Sequence, residues 1–174
     1  MIQSYKRLAV IPAKGISKRI PNKNIKKFLG KPIIEYTIQN ALQSKLFNKI
    51  HISTESKKIK KLVEKNKKIK IDFMRPKYLS NDKTSLFKVL DFVKKKYESK
   101  KINFEEIWLL YACSPLTTYI DLIKAGKIYN KTNKLFPLIS LREYDAPVEW
   151  ALKKKNKTFT PKNIKALKID SKKI

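Results

Sequence analysis

Short apolar runs alternate with segments of helical period along most of this chain, and that alternation narrows the fold more than any other feature. The run LAVI (8–11) stops at Pro12 and reads as a buried strand. PIIEYTIQNALQS (32–44) reads as a helix with Pro32 in its first turn and Ile34, Ile38, Ala41 and Leu42 on one side. KIHIS (49–53) alternates as a strand does, and a helix over 56–66 puts Ile59, Leu62 and Val63 on one face. IKIDFM (69–74) reads as a strand and residues 84–98 as a helix striped by Leu86, Val89, Leu90, Val93 and Tyr97. EIWLLYA (106–112) has little polar relief, which predicts a strand covered on both faces. A helix over 120–130 and a strand LFPLISL (135–141) complete the series. Residues 146–152 read as a short strand, and KKKNKTF as a turn between short strands.

Strand–helix alternation of this kind predicts the α/β class, with a mostly parallel sheet and helices on both sides. Ligands of such open sheets bind beyond the carboxyl ends of the strands, so the loop after the first strand is where chemistry is expected. A chain of 174 residues with 42% hydrophobic content fits one domain, and residues 1–174 are taken as such. No apolar stretch reaches the ~18 residues of a membrane span. The apolar segment near the N-terminus is too short for a signal peptide. Cys113 is the single cysteine and has no intrachain partner. A soluble cytoplasmic protein without a membrane partner is expected.

The charge needs separate treatment. Forty-two Lys and Arg against 14 Asp and Glu give +28, which raises nucleic acid as a partner. Only four of the cations are arginines (Arg7, Arg19, Arg75 and Arg142), and forked guanidinium groups serve base-edge and phosphate recognition better than ammonium groups do. The lysine runs also fall where helices face water. A solvated basic surface is the expectation, with no specific nucleic acid, and such a surface gathers anionic small molecules.

The loop AKGISKRIPNKN (13–24) carries Lys14, Lys18, Arg19 and Lys23 together with Gly15, Ser17, Asn22 and Asn24. Backbone N–H groups in such a loop can cradle an anion, with Gly15 allowing close approach or positive φ. It matches neither the P-loop nor the dinucleotide fingerprint. On composition alone, a plain basic surface loop is an equal reading.

Around this loop, LAVIPAKGISKRIPNKNIKKFLGKPIIEYTI resembles the opening signature of the acylneuraminate cytidylyltransferases, close to IPARGGSKRIPxKNIxxFxGKPxI. HISTES (51–56) is similar to their VSTD segment and RPKYLSNDKTS (75–85) to RPxxLSxDxTxx. LLYACSPLTT (109–118) and YDAPVEWALK (144–153) are similar to segments of the pseudaminic acid branch. The resemblance covers residues 7–163. It implies a three-layer α/β/α nucleotidyltransferase, Rossmann-like and GT-A-like, that joins CTP to a nine-carbon sugar acid and releases pyrophosphate. Magnesium is the implied cofactor.

By the same resemblance, Lys14, Gly15, Ser17, Lys18, Lys23 and Asn24 hold the nucleotide, with Lys18 and Lys14 as the catalytic cations on the leaving phosphates. Lys14 stands where the family has Arg, keeping the charge without the fork, and Ile16 stands where Gly is usual. Arg75 matches the arginine facing the cytosine ring. Ser80 and Asp82 match the base-and-ribose segment, although Asp82 also reads as a cap for the helix that follows. Tyr111 reads either as a sugar contact or as a core tyrosine. His51 has no partner motif and reads as structural, and Cys113, with no His nearby to activate it, as a buried small residue. No Cys, His or carboxylate cluster has metal-ligand spacing. The family's YxDAGxFYW segment is absent, so a C-terminally truncated enzyme is expected, completed by a homodimer partner or a complementing C-terminal chain. A non-catalytic nucleotide-binding fragment and a basic nucleic-acid binder are the alternatives.

Overall fold

The first strand, β1 (Gln3–Pro12), is the spine of the molecule. In this computed structural model, which describes residues 3–143, 148–156 and 158–165, Leu8, Ala9, Val10 and Ile11 are all fully buried. Four consecutive buried residues on a strand require cover on both faces. β1 pairs in parallel with β4 (Lys49–Ser53) on one side and with β5 (Ile102–Leu109) on the other. The order is β4-β1-β5, with Val10 opposite His51 and Leu109. Between β1 and β4 come the two-residue strands β2 (Lys27–Phe28) and β3 (Lys31–Pro32), paired antiparallel, and helix α1 (Ile33–Ser44).

Alternation along β1 assigns the two faces. Ile11 and Ala13 meet Ile34 and Ile38 of α1, Ile52 of β4, and Ile59 and Val63 of α2 (Lys57–Val63). Leu8 and Val10 meet Val93 and Tyr97 of α3 (Leu86–Glu98). Helix α4 (Tyr119–Asn130) packs beside α1. The layers are therefore helix, parallel sheet, helix, as the α/β reading requires.

Most helix starts have a local cause. Ser56 Oγ accepts from Ile59 N–H at 3.3 Å, and Ser85 Oγ accepts from Lys88 N–H at 3.4 Å. Thr118 and Asp121 form a reciprocal capping box on α4. Pro32 sits one residue before α1, with ψ 133°, rather than within its first turn. The cap on α3 is Ser85 and not Asp82, which leaves Asp82 for other work.

Two of the strands expected before residue 142 do not form. Residues 69–74 carry no ladder: Ile69 and Ile71 are buried against the α2 side of the core, while Ile71 N–H donates to the Glu64 carboxylate at 2.9 Å. Their alternation records side-chain packing without a backbone partner. Residues 135–141 also lack a ladder, and Leu135, Phe136 and Leu141 are 72%, 79% and 91% exposed.

The chain divides into two compact units, Met1–Leu135 and Phe136–Ile174. Within the second, Val148–Trp150 form a 3-10 turn where a strand was expected, and residues 144–147 lie outside the described residues. β6 (Leu152–Lys155) and β7 (Thr158–Pro161) pair antiparallel around Asn156 at φ 54°, in line with a turn in KKKNKTF.

His51 is structural, as its lack of a motif suggested. Its ring stacks on Phe73 at 4.4 Å and lies edge-on to Tyr97. The Tyr97 hydroxyl donates to Asp72 at 2.7 Å, so the His51 Nδ1–H donates to the hydroxyl oxygen at 3.3 Å. Its Nε2 is buried without a partner. Burial pushes the imidazole down from 6.5 to about 4, with Asp72 opposing and Lys49 assisting. Because the folded value lies below the unfolded one, this contribution to stability is present above pH 6.5 and is lost as pH falls toward 4. Urea titrations should show about 2 kcal/mol lost between about pH 7 and about pH 5 from this group. The variant His51→Phe should remove that portion; an unchanged pH slope in it would assign the loss elsewhere.

Candidate functional site

The loop 13–24 leaves β1 at the carboxyl end of the parallel sheet. Its root is fixed: Ala13 N–H still donates to Ser53 O at 2.9 Å. Its far end is fixed by Asn24, which is buried in a 3-10 turn (Lys23–Ile25). Asn24 Nδ2 donates to Lys14 O at 2.8 Å, and its Oδ1 accepts from Cys113 Sγ at 3.3 Å. Asn24 thus staples the loop to itself and to the segment after β5. Burial raises the Cys113 thiol pKa, so this cysteine is a partner of Asn24 and not a nucleophile.

Gly15 is required for close approach. A Cβ at this position would lie 2.7 Å from Ser56 Cβ. Its backbone has no positive φ, and neither does that of Ile16. The isoleucine that replaces the usual glycine therefore introduces no left-handed strain, and its side chain is 79% exposed.

The residue that sequence reasoning missed is Glu55. It lies two residues past the end of β4 and joins three parts of the site. Its Oε1 accepts from Gly15 N–H at 2.6 Å. Its Oε2 accepts from Arg75 Nη2 and from Ser80 Oγ, each at 2.8 Å. Burial works to raise the pKa of this carboxyl, but Arg75, the backbone N–H groups and Ser80 outweigh it and hold it below the usual value. The signal was present in HISTES, where a carboxylate ends a strand at the sheet's ligand edge.

Arg75 is 5% exposed. Its backbone N–H donates to Thr54 O at 2.8 Å, and its Nε is buried without a hydrogen-bond partner. Ser80 reaches the same cluster through Glu55. Asp82 goes elsewhere: its two oxygens pair with Lys14 Nζ and with Lys18 Nζ, the latter at 2.9 Å. The Lys14 and Lys18 hydrogen bonds hold the Asp82 carboxyl at about 2 and raise Lys18.

Ser17 and Lys23 are half-buried on the same loop, and Arg19 is exposed. Tyr111 lies just past β5 with its side chain 60% exposed, which removes the core reading. Its carbonyl accepts from Thr37 Oγ1 at 2.9 Å, which ties this rim to α1.

The arrangement offers two ammonium groups converging on one anion, on a loop rich in backbone N–H groups. It can bind a polyanion and neutralise a leaving one. Among the described residues, no three His, Cys, Asp or Glu side chains gather as metal ligands do. The two carboxylates of the site are engaged by cations and N–H or O–H donors, so this donor set by itself does not fit Mg²⁺. Among the described residues, no helix is long and apolar enough to cross a membrane.

The model of the cytidylyltransferase family matches residues 8–134. The chain is 36% identical to the pseudaminic acid cytidylyltransferase of Campylobacter jejuni over 146 residues, which is 84% of this chain and 62% of that protein. It is 32% identical to the N-acylneuraminate cytidylyltransferase of Escherichia coli over 143 residues, 82% of this chain and 32% of that one. The chain thus spans less than two thirds of the length of either relative. In fold it is similar to a CMP:2-keto-3-deoxy-manno-octonic acid synthetase solved with CTP, with a TM-score of 0.60 and 23% identity over 76% of this chain and 50% of that one. Matched over residues 8–134, a span that includes the loop and the parallel sheet, the chain belongs to the cytidylyltransferase family.

Proposed function

We propose that this protein binds CTP on the 13–24 loop and transfers CMP to a nine-carbon sugar acid of the pseudaminic or sialic type. The observation that carries the reading is the convergence of Lys14 and Lys18 on one carboxylate at the ligand edge of the sheet. A site built to hold an anion there suits a triphosphate. In the reaction, the anomeric hydroxyl oxygen of the sugar forms a bond to the α-phosphorus. The bond from that phosphorus to the β-phosphate oxygen breaks, pyrophosphate leaves, and the hydroxyl proton passes to solvent. Lys18 and Lys14 neutralise charge as it grows on the departing pyrophosphate. Gly15 lets the backbone come close, and Ser17, Lys23 and Asn24 shape the cradle. Arg75 faces the cytosine ring, with Glu55 holding its guanidinium and Ser80 holding Glu55 in place. Tyr111 faces the sugar from the opposite rim. In this reading the work is done in the cytoplasm, where CTP is held, and a homodimer partner or a complementing chain supplies the remaining sugar contacts.

The reading is tested by isothermal titration with CTP and ATP, and by pyrophosphate release with pseudaminic acid and with N-acetylneuraminic acid. CTP should bind in preference to ATP. The variant Lys18→Ala should weaken CTP roughly tenfold, the effect of one charge-assisted contact. Equal affinity for both nucleotides, or an unaffected Lys18→Ala, would refute the assignment.

A further inference from the structure

The seat proposed for the phosphates already holds an anion, and that anion belongs to the chain. Lys14 and Lys18 project from one loop and meet different oxygens of the Asp82 carboxylate, which arrives from the separate segment between Arg75 and α3. This segment does not depend on the contact for its shape. Asn81 Oδ1 accepts from Lys83 N–H at 2.9 Å and from Thr84 Oγ1 at 3.0 Å, and Asn81 Nδ2 donates to Tyr78 O at 2.6 Å. Ser80 is held by Glu55, and Ser85 caps α3. Asp82 has no part in any of these bonds, and its side chain is 48% exposed against 81% for Lys18. An ion pair this open to water is weak and readily exchanged.

We infer that Asp82 is a resident counter-ion that an incoming polyphosphate must displace from Lys14 and Lys18, so that it sets how much negative charge a ligand needs to occupy the seat. The inference rests on the phosphate seat proposed above and adds its regulation. A triphosphate brings several charges to the two lysines and displaces the single carboxylate. A ligand without phosphates never meets it. The penalty falls equally on every ligand that uses the seat, and its removal should tighten all of them alike.

The test titrates tripolyphosphate, CTP, ATP and cytidine into the wild-type chain, Asp82→Asn, Asp82→Glu and Asp91→Asn at one fixed ionic strength. Asp91 pairs with Lys95 at 2.9 Å on α3, so Asp91→Asn makes the same change in net charge away from the seat. Asp82→Asn should bind tripolyphosphate and CTP roughly fivefold more tightly, the scale of two exposed ion pairs. Asp82→Glu should keep near wild-type affinity, Asp91→Asn should shift it less than twofold, and cytidine should not distinguish the variants. Thermal melting of each variant checks that the fold is retained. Affinity for tripolyphosphate that is unchanged or weaker in Asp82→Asn, an equal gain in Asp91→Asn, or no tripolyphosphate binding by any variant would overturn the inference. If tripolyphosphate tightens while CTP shows no preference over ATP, the counter-ion role stands and the cytidine reading fails. If CTP is preferred but Asp82→Asn gains nothing, the cytidine reading stands and the counter-ion role fails.

Discussion

Glu55→Ala is expected to lower stability by about 3 kcal/mol and to weaken CTP binding more than tenfold, the largest combined effect of any single change at the site. The cause is what remains behind. Arg75 stays buried at 5% exposure with its one carboxylate partner gone, and Gly15 N–H and Ser80 Oγ lose their acceptor. An uncompensated buried charge costs far more than the pair contributes when intact. For a chain of this size the melting temperature should fall by roughly 6–12 °C. Glu55→Gln keeps the shape but turns one oxygen into a donor, which then confronts either Gly15 N–H or Arg75 and Ser80 together; it should recover part of the melting temperature and little of the binding. A Glu55→Ala protein that melts within about 2 °C of wild type and binds CTP equally well would show that Glu55 organises nothing.

Arg7→Ala should be the most damaging change away from the site, at about 3–5 kcal/mol by urea denaturation. Arg7 Nε donates to Glu106 at 2.6 Å and Nη2 to Asn130 Oδ1 at 2.8 Å, joining β1, β5 and the end of α4. The two side chains of the ion pair are 7% and 4% exposed. Burial would raise the Glu106 carboxyl, yet Arg7, Lys134 and Trp108 together bring it down from 4.5 to about 2. A depressed carboxyl stabilises the fold above its unfolded value and loses that contribution as pH falls from 4.5 toward 2. Arg7→Ala should therefore flatten the acid limb of the stability profile as well as lower it. A profile shifted down uniformly, with its acid slope intact, would mean that Glu106 draws its low pKa from Lys134 and Trp108 alone.

Legibility in the sequence followed the physics of each element. β1, α1, β4 and α3 were readable from their apolar patterns, because those residues are the ones that meet in the core. Residues 69–74 and 135–141 failed for a shared reason. Alternation reports which side chains are buried or apolar, while a strand also needs a neighbouring backbone, and none pairs with either segment among the described residues. The candidate site divided in the same way. Lys14, Gly15, Lys18 and Asn24 lie on one contiguous loop, so a local motif found them. Glu55 was missed because its importance lies in contacts with residues 20 to 40 positions away. Asp82 was placed on the base or ribose by its motif, and only the three-dimensional contact shows it on the lysines.

β1 has neighbours on both edges and is covered on both faces, so its amides from Leu8 to Ile11 should be among the last to trade their hydrogens for deuterium, while those of Ile16 to Ile20 trade theirs at once. A stiff stem carrying a pliant tip leaves room for evolutionary drift: side chains at Ile16 and Arg19 can change from one descendant to the next without touching the pillar on which the first unit is raised.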